Sequence, residues 1–278
     1  SHDVVNAIRR KIKGTKVGHT GTLDPMAAGV LPVCLGQATR ITEYMQSDDK
    51  KYRCEMTLGI ESDTQDIWGT IIDTRPVNVE KEAILEAFKS FRGTIFQTPP
   101  IYSAIKVNGK KLYEYARKGQ TVEIKSRQVE IYDISVLNIE KDKVLFDVSC
   151  SKGTYIRTLC HDIGGILGCG AVMSKLMRTK SGRFTIEDAI AFEDLDNLDI
   201  SQYIFPIDYP LQHMGSAKIH DEEVYRKVIN GCPLTEDVFD IDKMGNELYK
   251  IYYNEKFIAI GQYNSKEKII ELKKVFNY

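Results

Sequence analysis

The sequence predicts an α+β protein, a mixed, largely antiparallel sheet flanked by helices, followed by a small β-rich C-terminal domain. Three observations carry that prediction. Segments of strict two-residue alternation, such as 51–59 and 144–150, stand among segments of helical spacing, such as 80–91 and 155–167. The two kinds do not follow the β-α-β rhythm of a parallel sheet. Around Ile207–Met214, after an acidic stretch and with Pro206 and Pro210 as breaks, the pattern changes to short strand-like segments. A chain of 278 residues is long enough for one large or two ordinary domains at roughly 100–200 residues each.

Taken in order, Ser1 is a good helix N-cap, and Val4, Val5, Ile8 and Ile12 recur behind it at helical spacing. A chain that starts on a cap without a methionine leads us to expect a preceding segment. Next comes Gly18-His19-Thr20-Gly21-Thr22-Leu23-Asp24-Pro25. Gly18 and Gly21 permit backbone angles closed to other residues, and Pro25 biases Asp24 toward extended geometry. The apolar run Gly29–Leu35 predicts a buried strand beside this loop. In Lys51–Gly59, Tyr52, Cys54, Met56 and Leu58 share one face, which places Tyr52 on the buried side near the strand's start. Glu80–Phe91 predicts a helix packed through Ile84, Leu85 and Phe88, and 129–139 and 144–150 predict strands. Ser151–Thr154 reads as a turn ending on an N-cap candidate, and the helix after it has Tyr155, Ile156, Leu159, Cys160, Ile163, Ile166 and Leu167 on its apolar side. With the boundary drawn between 212 and 213, the tail holds a helix at Glu222–Asn230 and strands at Leu248–Tyr253 and Lys256–Tyr263. Val275 and Phe276 are expected to tuck into it.

Composition narrows the function classes. No apolar stretch approaches the roughly 20 residues of a membrane-spanning helix, and no leader pattern is present, so cytoplasm is the expected location. The six cysteines form no C-x-x-C pair or ligand-spaced cluster with histidine, which argues against zinc and against a disulfide framework. The net charge of −1 conceals an uneven distribution. Residues 101–127 hold seven Lys/Arg against two Asp/Glu, residues 150–183 six against one, and residues 184–212 none against seven. The bland reading of a charged run is a solvated face; the sharper one is a phosphate-rich partner.

Chemistry is expected at Asp24, although Asp before Pro in a Gly/Thr-rich segment is also an ordinary turn residue. Arg157 falls in the first turn of its helix, where the dipole disfavours a cation by roughly 0.3–1 kcal/mol. An anion such as Asp24 would compensate, and the plain alternative is a surface arginine. His19 is open between loop hydrogen bonding and ligand contact. The segment Pro99–Tyr113 interleaves cations with aromatics around Asn108-Gly109, a mixture that suits RNA but also fits an exposed hairpin.

Four motifs occur in order over residues 18–159: GHTGTLDPMAAGVLPVCLGQATR, KKYRCEMTLG, TPPIYSAIKVNGKKLYEYAR and SKGTYIRTL. Together they resemble the bacterial TruB-type tRNA pseudouridine synthases, which isomerise the uridine at position 55 of the T-loop. The resemblance implies a pseudouridine synthase catalytic domain over 1–212, an RNA-binding insertion over about 99–127, and a reduced PUA-like domain over 213–278. It implies that Asp24 is the essential aspartate, that Tyr52 stacks on the flipped uracil and is the candidate base for the C5 proton, and that Arg157 pairs with Asp24. Tyr155 would line the pocket, His19 would wedge into the T-loop, and Leu176 would be an apolar pocket residue. Lys106, Lys110 and Arg117 would meet phosphates. The reaction it implies needs no metal and no cofactor, its partner is the T-arm of tRNA, and a monomer with no protein partner is expected. The chain departs from the family where an N-K-P-x-G-x-T-S segment precedes the first helix, since only its serine is present, as Ser1.

Two other function classes stay open at the level of sequence. A tRNA-folding chaperone would use the basic insertion and His19 without needing Asp24. A glycoside hydrolase would require a second carboxylate across the scissile bond; the nearest, Asp63 and Asp66, read as strand-to-turn residues.

Overall fold

In a computed structural model, residues 1–45, 49–241 and 247–277 are described. The chain groups into two compact units: Gly21–Pro32 with Ser47–Ala189, and Ser1–Thr20 with Val33–Gln46 and Ile190–Tyr278. The grouping differs from a cut at 212/213: residues from Ile190 on, the N-terminal helix His2–Lys11 and the segment after Pro32 all group with the tail.

The first unit is built on one sheet with strand order Phe184–Thr185, Ala171–Ser181, Lys50–Leu58, Lys143–Cys150, Arg127–Glu140 and Gly93–Gln97. Each of these neighbours is antiparallel, and the short strand Ala28–Gly29 adds to Ala171–Ser181 in parallel, which makes the sheet mixed and largely antiparallel. The alternation at 50–58 does what the pattern requires: Cys54, Met56 and Leu58 are fully buried while Lys51 and Arg53 face solvent. Helices Lys81–Ser90 and Ile156–Ile166 share a core with that face, through Ile84, Phe88, Ile156, Leu159 and Ile163. Phe88 meets Phe146 edge-on, with ring centroids 4.9 Å apart. Full burial of a side chain such as Phe146 contributes about 1.5–3 kcal/mol. Gly164 sets how near the second helix comes: a Cβ there would lie 2.2 Å from the Ala171 nitrogen, so only glycine lets the helix close on the start of the Ala171–Ser181 strand.

Three local expectations are corrected. The run 29–35 is two strands, Ala28–Gly29 and Val33–Leu35, because Pro32 has no N–H to continue a ladder and the two pieces pair with different partners. Gly18 lies within the strand Val17–His19 without left-handed backbone, so the special conformation is not needed there. The helix N-cap is Tyr155, one residue beyond Thr154, whose hydroxyl instead donates back to the Ser151 carbonyl at 2.9 Å.

The second unit carries a sheet in the order Leu234–Thr235, Ile269–Val275, Lys256–Asn264, Leu248–Tyr253, Gly215–Ile219 and Asp240–Ile241, over a core that includes Ala217, Val228, Tyr249, Ile251 and Ile270. Its helix Glu222–Ile229 is capped by Asp221, whose carboxylate accepts from the N–H groups of Glu223 and Val224 at 2.8 and 2.9 Å. Phe276 is buried, and the Arg40 guanidinium lies 5.4 Å from its ring centroid, which helps explain why the 33–46 segment joins the tail. No helix among the described residues is long and apolar enough to cross a membrane.

Candidate active site

Asp24 opens a turn in which its carbonyl accepts from the Ala27 N–H at 2.9 Å, with Pro25 supplying the fixed φ at the second position. The loop is then fastened to the Ala171–Ser181 strand. Gly29 adopts φ +103°, and a Cβ on it would lie 2.2 Å from the Arg178 carbonyl oxygen, so the two backbones meet at a distance only glycine allows. The Val30 N–H donates to that same carbonyl at 2.8 Å. In return, Arg178 Nε donates to the Val30 carbonyl at 2.7 Å and its Nη2 to the Gly21 carbonyl at 3.2 Å. One guanidinium, on a residue 3% exposed, thereby ties down both ends of the loop that carries Asp24.

Arg157 is the second residue of the Ile156–Ile166 helix and is buried. Its Nε donates to Asp24 Oδ2 at 2.9 Å and its Nη2 to Asp24 Oδ1 at 3.3 Å, a fork on both carboxylate oxygens. The remaining donors reach the carbonyls of Thr64 at 3.2 Å and Tyr102 at 3.1 Å, and Asp66 Oδ2 lies 3.7 Å from Nη1. Asp66 is itself held by the Thr64 hydroxyl at 2.8 Å and the Trp68 N–H at 3.0 Å. At an effective dielectric near 20, a pair at this range is worth about 4 kcal/mol before desolvation, well above the dipole penalty of a cation in a first helical turn. Asp24 keeps a side chain 36% exposed against 6% for Arg157: the arginine is buried and the carboxylate opens to solvent.

Tyr52 is half-buried on the strand Lys50–Leu58, and its Cα partner across the sheet is Arg178. Burial pushes its phenol up to about 12, with the nearby Cys150 and Asp24 adding to the rise and Arg178 opposing it through charge and contact. At neutral pH it is therefore a neutral phenol. Tyr155 is also half-buried and raised chiefly by burial, while Ser103 and Arg157 beside it act in the other direction. Its backbone is gripped by the buried Gln97, whose amide donates to the Tyr155 carbonyl at 3.2 Å and accepts from its N–H at 3.0 Å. Leu176, buried opposite Cys54, belongs to the apolar cluster against which Tyr52, Met26 and Ala27 pack.

The sequence candidates thus divide. Asp24, Tyr52, Tyr155, Arg157 and Leu176 belong to one unit and one neighbourhood, in which Tyr52 and Tyr155 both sense the Asp24 charge. His19 lies in the other unit, opposite Val33 in the Val17–His19 strand. Lys106, Lys110 and Arg117 are exposed; the first two stand on a hairpin whose turn, Asn108-Gly109, has positive φ at both residues. Arg117 and Lys111 both lie within 5.5 Å of the Tyr113 ring centroid, so cations already attend that ring. Sequence reasoning missed Arg178, Gln97, the link from Asp66 to Arg157, and the carbonyls of Thr64 and Tyr102. The available signal for Arg178 was its place two residues after Leu176, a charge on the core side of an unrecognised strand. Among the described residues no group of His, Cys, Asp and Glu is arranged to hold a metal.

Residues 9–156 match the family described as TruB family pseudouridylate synthase, N-terminal domain, and residues 157–212 match the tRNA pseudouridylate synthase B C-terminal domain. The chain belongs to the TruB family. A tRNA pseudouridine synthase B from Alkaliphilus oremlandii is 50% identical over 94% of this chain and 88% of its own length. The enzyme of the same name from Staphylococcus aureus strain Newman is 42% identical over 100% and 95%. Among solved structures, a Cbf5–Nop10–Gar1 complex aligns at TM-score 0.75 and 30% identity over 99% of this chain and 81% of its counterpart. An H/ACA RNP bound to a substrate RNA containing 2′-deoxyuridine aligns at TM-score 0.74 and 29% identity, over 100% and 81%. The TruB-family match covers every residue of the Asp24–Arg157 neighbourhood described above.

Proposed function

We propose that this chain isomerises the uridine at position 55 in the T-loop of tRNA to pseudouridine. The observation that carries the reading is the solvent-open carboxylate of Asp24 held on both oxygens by a buried arginine, in a chain of the TruB family. A uridine within a folded loop must leave its stack before a side chain can reach it, at a few kcal/mol that stacking and phosphate contacts offset. In the pocket, Asp24 assists departure of the base as the C1′–N1 bond breaks. The uracil turns, a C1′–C5 bond forms, the C5 proton leaves and N1 gains one, so substrate and product have the same composition. Arg157 fixes the carboxylate in place, Tyr155 and Leu176 line the pocket, and Tyr52 stacks on the base and receives the C5 proton. Since Tyr52 is a neutral phenol at working pH, it can take that proton only as its own moves on.

The T-arm is read mainly by shape and phosphate, through His19 at the loop and Lys106, Lys110 and Arg117 on the insertion. Catalysis resides in residues 1–212 with a reduced PUA-like tail over 213–278, and the working unit is a cytoplasmic monomer that needs no cofactor. The test is nucleotide-resolved mapping of pseudouridine in a tRNA transcript by carbodiimide adducts that stop reverse transcription. A stop at position 55 with the protein and none with Asp24→Asn supports the reading. Modification elsewhere, or modification that survives Asp24→Asn, removes it.

A further inference from the structure

The strand Ala171–Ser181 brings a second buried arginine to the site, and the reaction outlined above gives it nothing to do. Arg178 faces Tyr52 directly across the sheet, and the same guanidinium donates to the carbonyls of Gly21 and Val30 at the two ends of the Asp24 loop. The carboxylates of Asp24 and Asp66 pair with Arg157 instead. Two contacts fix the plane of Arg178, so the part of the fork turned toward Tyr52 has little freedom to move. A cation against a neutral phenol favours the phenol oxygen as an acceptor, which turns the hydroxyl hydrogen away from the arginine and leaves the oxygen's second lone pair for the C5 proton.

We infer that the Arg178 side chain is a positioning group for the proton step: it orients the Tyr52 hydroxyl, whereas Asp24 remains held by the Arg157 fork and its loop by the Val30 N–H bond to the Arg178 backbone carbonyl when that side chain is changed, so that loss of the C5 proton depends on the Arg178 side chain while cleavage of the glycosidic bond depends on Asp24 and Arg157. Arg178 also opposes the rise that burial imposes on the phenol, which eases departure of the phenol's own proton. The inference rests on the uridine-isomerase reading. It also requires the two halves of the reaction to be separable, which 5-fluorouridine allows. Fluorine cannot leave carbon as a cation, so in that substrate the base can detach and rejoin through C5 but cannot complete the proton loss.

The experiment compares Arg178→Lys and Arg178→Gln with the unchanged protein on two tRNA transcripts. One carries C5-tritiated uridine and is read by tritium release; the other carries 5-fluorouridine and is read by nuclease digestion and chromatography of the rearranged nucleoside. Thermal unfolding of each variant is followed alongside. The expected result is a loss of about 100-fold in tritium release for Arg178→Gln and a smaller loss for Arg178→Lys, with 5-fluorouridine rearrangement within about threefold of the parent. Equal losses on both substrates would make Arg178 a scaffold of the loop alone, and no loss on either would remove it from the reaction; each overturns the inference. Because Arg178→Gln removes a buried hydrogen-bonding fork and can lower stability, the Lys variant supplies the folded comparison. Asp24→Asn run beside them separates the two proposals: activity in that protein refutes the isomerase reading itself, whereas silence there with equal losses at Arg178 refutes only the role given to Arg178.

Discussion

Arg157 meets both oxygens of Asp24, two backbone carbonyls and, at 3.7 Å, a second carboxylate, so its removal and that of Asp24 are not symmetric events. Removing Asp24 leaves the arginine with three of these partners, and Asp24→Asn is expected to unfold within about 1 kcal/mol of the parent. Removing the arginine breaks the pair from its buried side; Arg157→Met is expected to cost about 3–5 kcal/mol, read by urea unfolding. Arg157→Lys keeps charge but loses the fork, and a carboxylate displaced by about 1 Å is expected to lower kcat about 100-fold with KM within a few-fold. Tyr52 supplies a pH signature. Its pKa rises on folding, so the neutral phenol is favoured in the native state; that contribution is whole below about pH 10 and is lost as pH climbs through about 12. Tyr52→Phe should therefore reduce the fall in unfolding free energy between pH 9 and pH 11 by about 1 kcal/mol, and an identical fall in both proteins would contradict the burial assigned to this phenol.

At the scale of elements, the loop 21–30 and the strand Ala171–Ser181 act as one piece because Gly29 lets their backbones touch. Gly29→Ala puts a methyl group 2.2 Å from a backbone oxygen and strains a positive φ, so the loop must lift off. The expected outcome is a loss of more than about 2 kcal/mol in stability and of most activity, measured by thermal unfolding and modification rate. That strand is hard to see in the sequence for a physical reason: register shifts between Met173 and Lys175 and between Arg178 and Lys180 break the two-residue period on which strand recognition depends. By contrast, 51–56 and 143–150 alternate in burial and pair with each other without a register shift, and they are legible from residue order. The Asp24–Arg157 pair is legible as well, since a cation in a first helical turn asks for an anion. Gln97 and the carbonyls of Thr64 and Tyr102 are not, because backbone and amide partners are set by tertiary approach and leave no residue-type signal. On the insertion, Lys106→Ala or Lys110→Ala should flatten the plot of log affinity against log salt by about 0.7–0.9 for each phosphate left without its lysine. An unchanged slope would show that these exposed lysines meet no phosphate.

Over the whole molecule, a net charge of −1 says little about where charge acts. The acidic segment 184–212 offsets most of the excess of the basic segments 101–127 and 150–183 in the sum, although it follows them as a separate block of the chain. Binding of tRNA should accordingly fall steeply with salt, as local phosphate contacts require and as a nearly neutral protein taken as a whole would not. Burial works the same way at the site: the apolar core beneath Tyr52 and Leu176 excludes water on one side, while the carboxylate of Asp24 stays open on the other. In the function proposed for this molecule, everything turns on Asp24, aimed by Arg157, driving exchange of an N1 bond for a C5 bond in uridine. That exchange is followed by release of tritium from a tRNA transcript labelled at uridine C5, with this protein and with Asp24→Asn at matched tRNA occupancy. Release approaching one equivalent per tRNA is expected with the protein, and none above background with Asp24→Asn. Tight binding without release in either protein, or release that survives the substitution, would contradict the proposal.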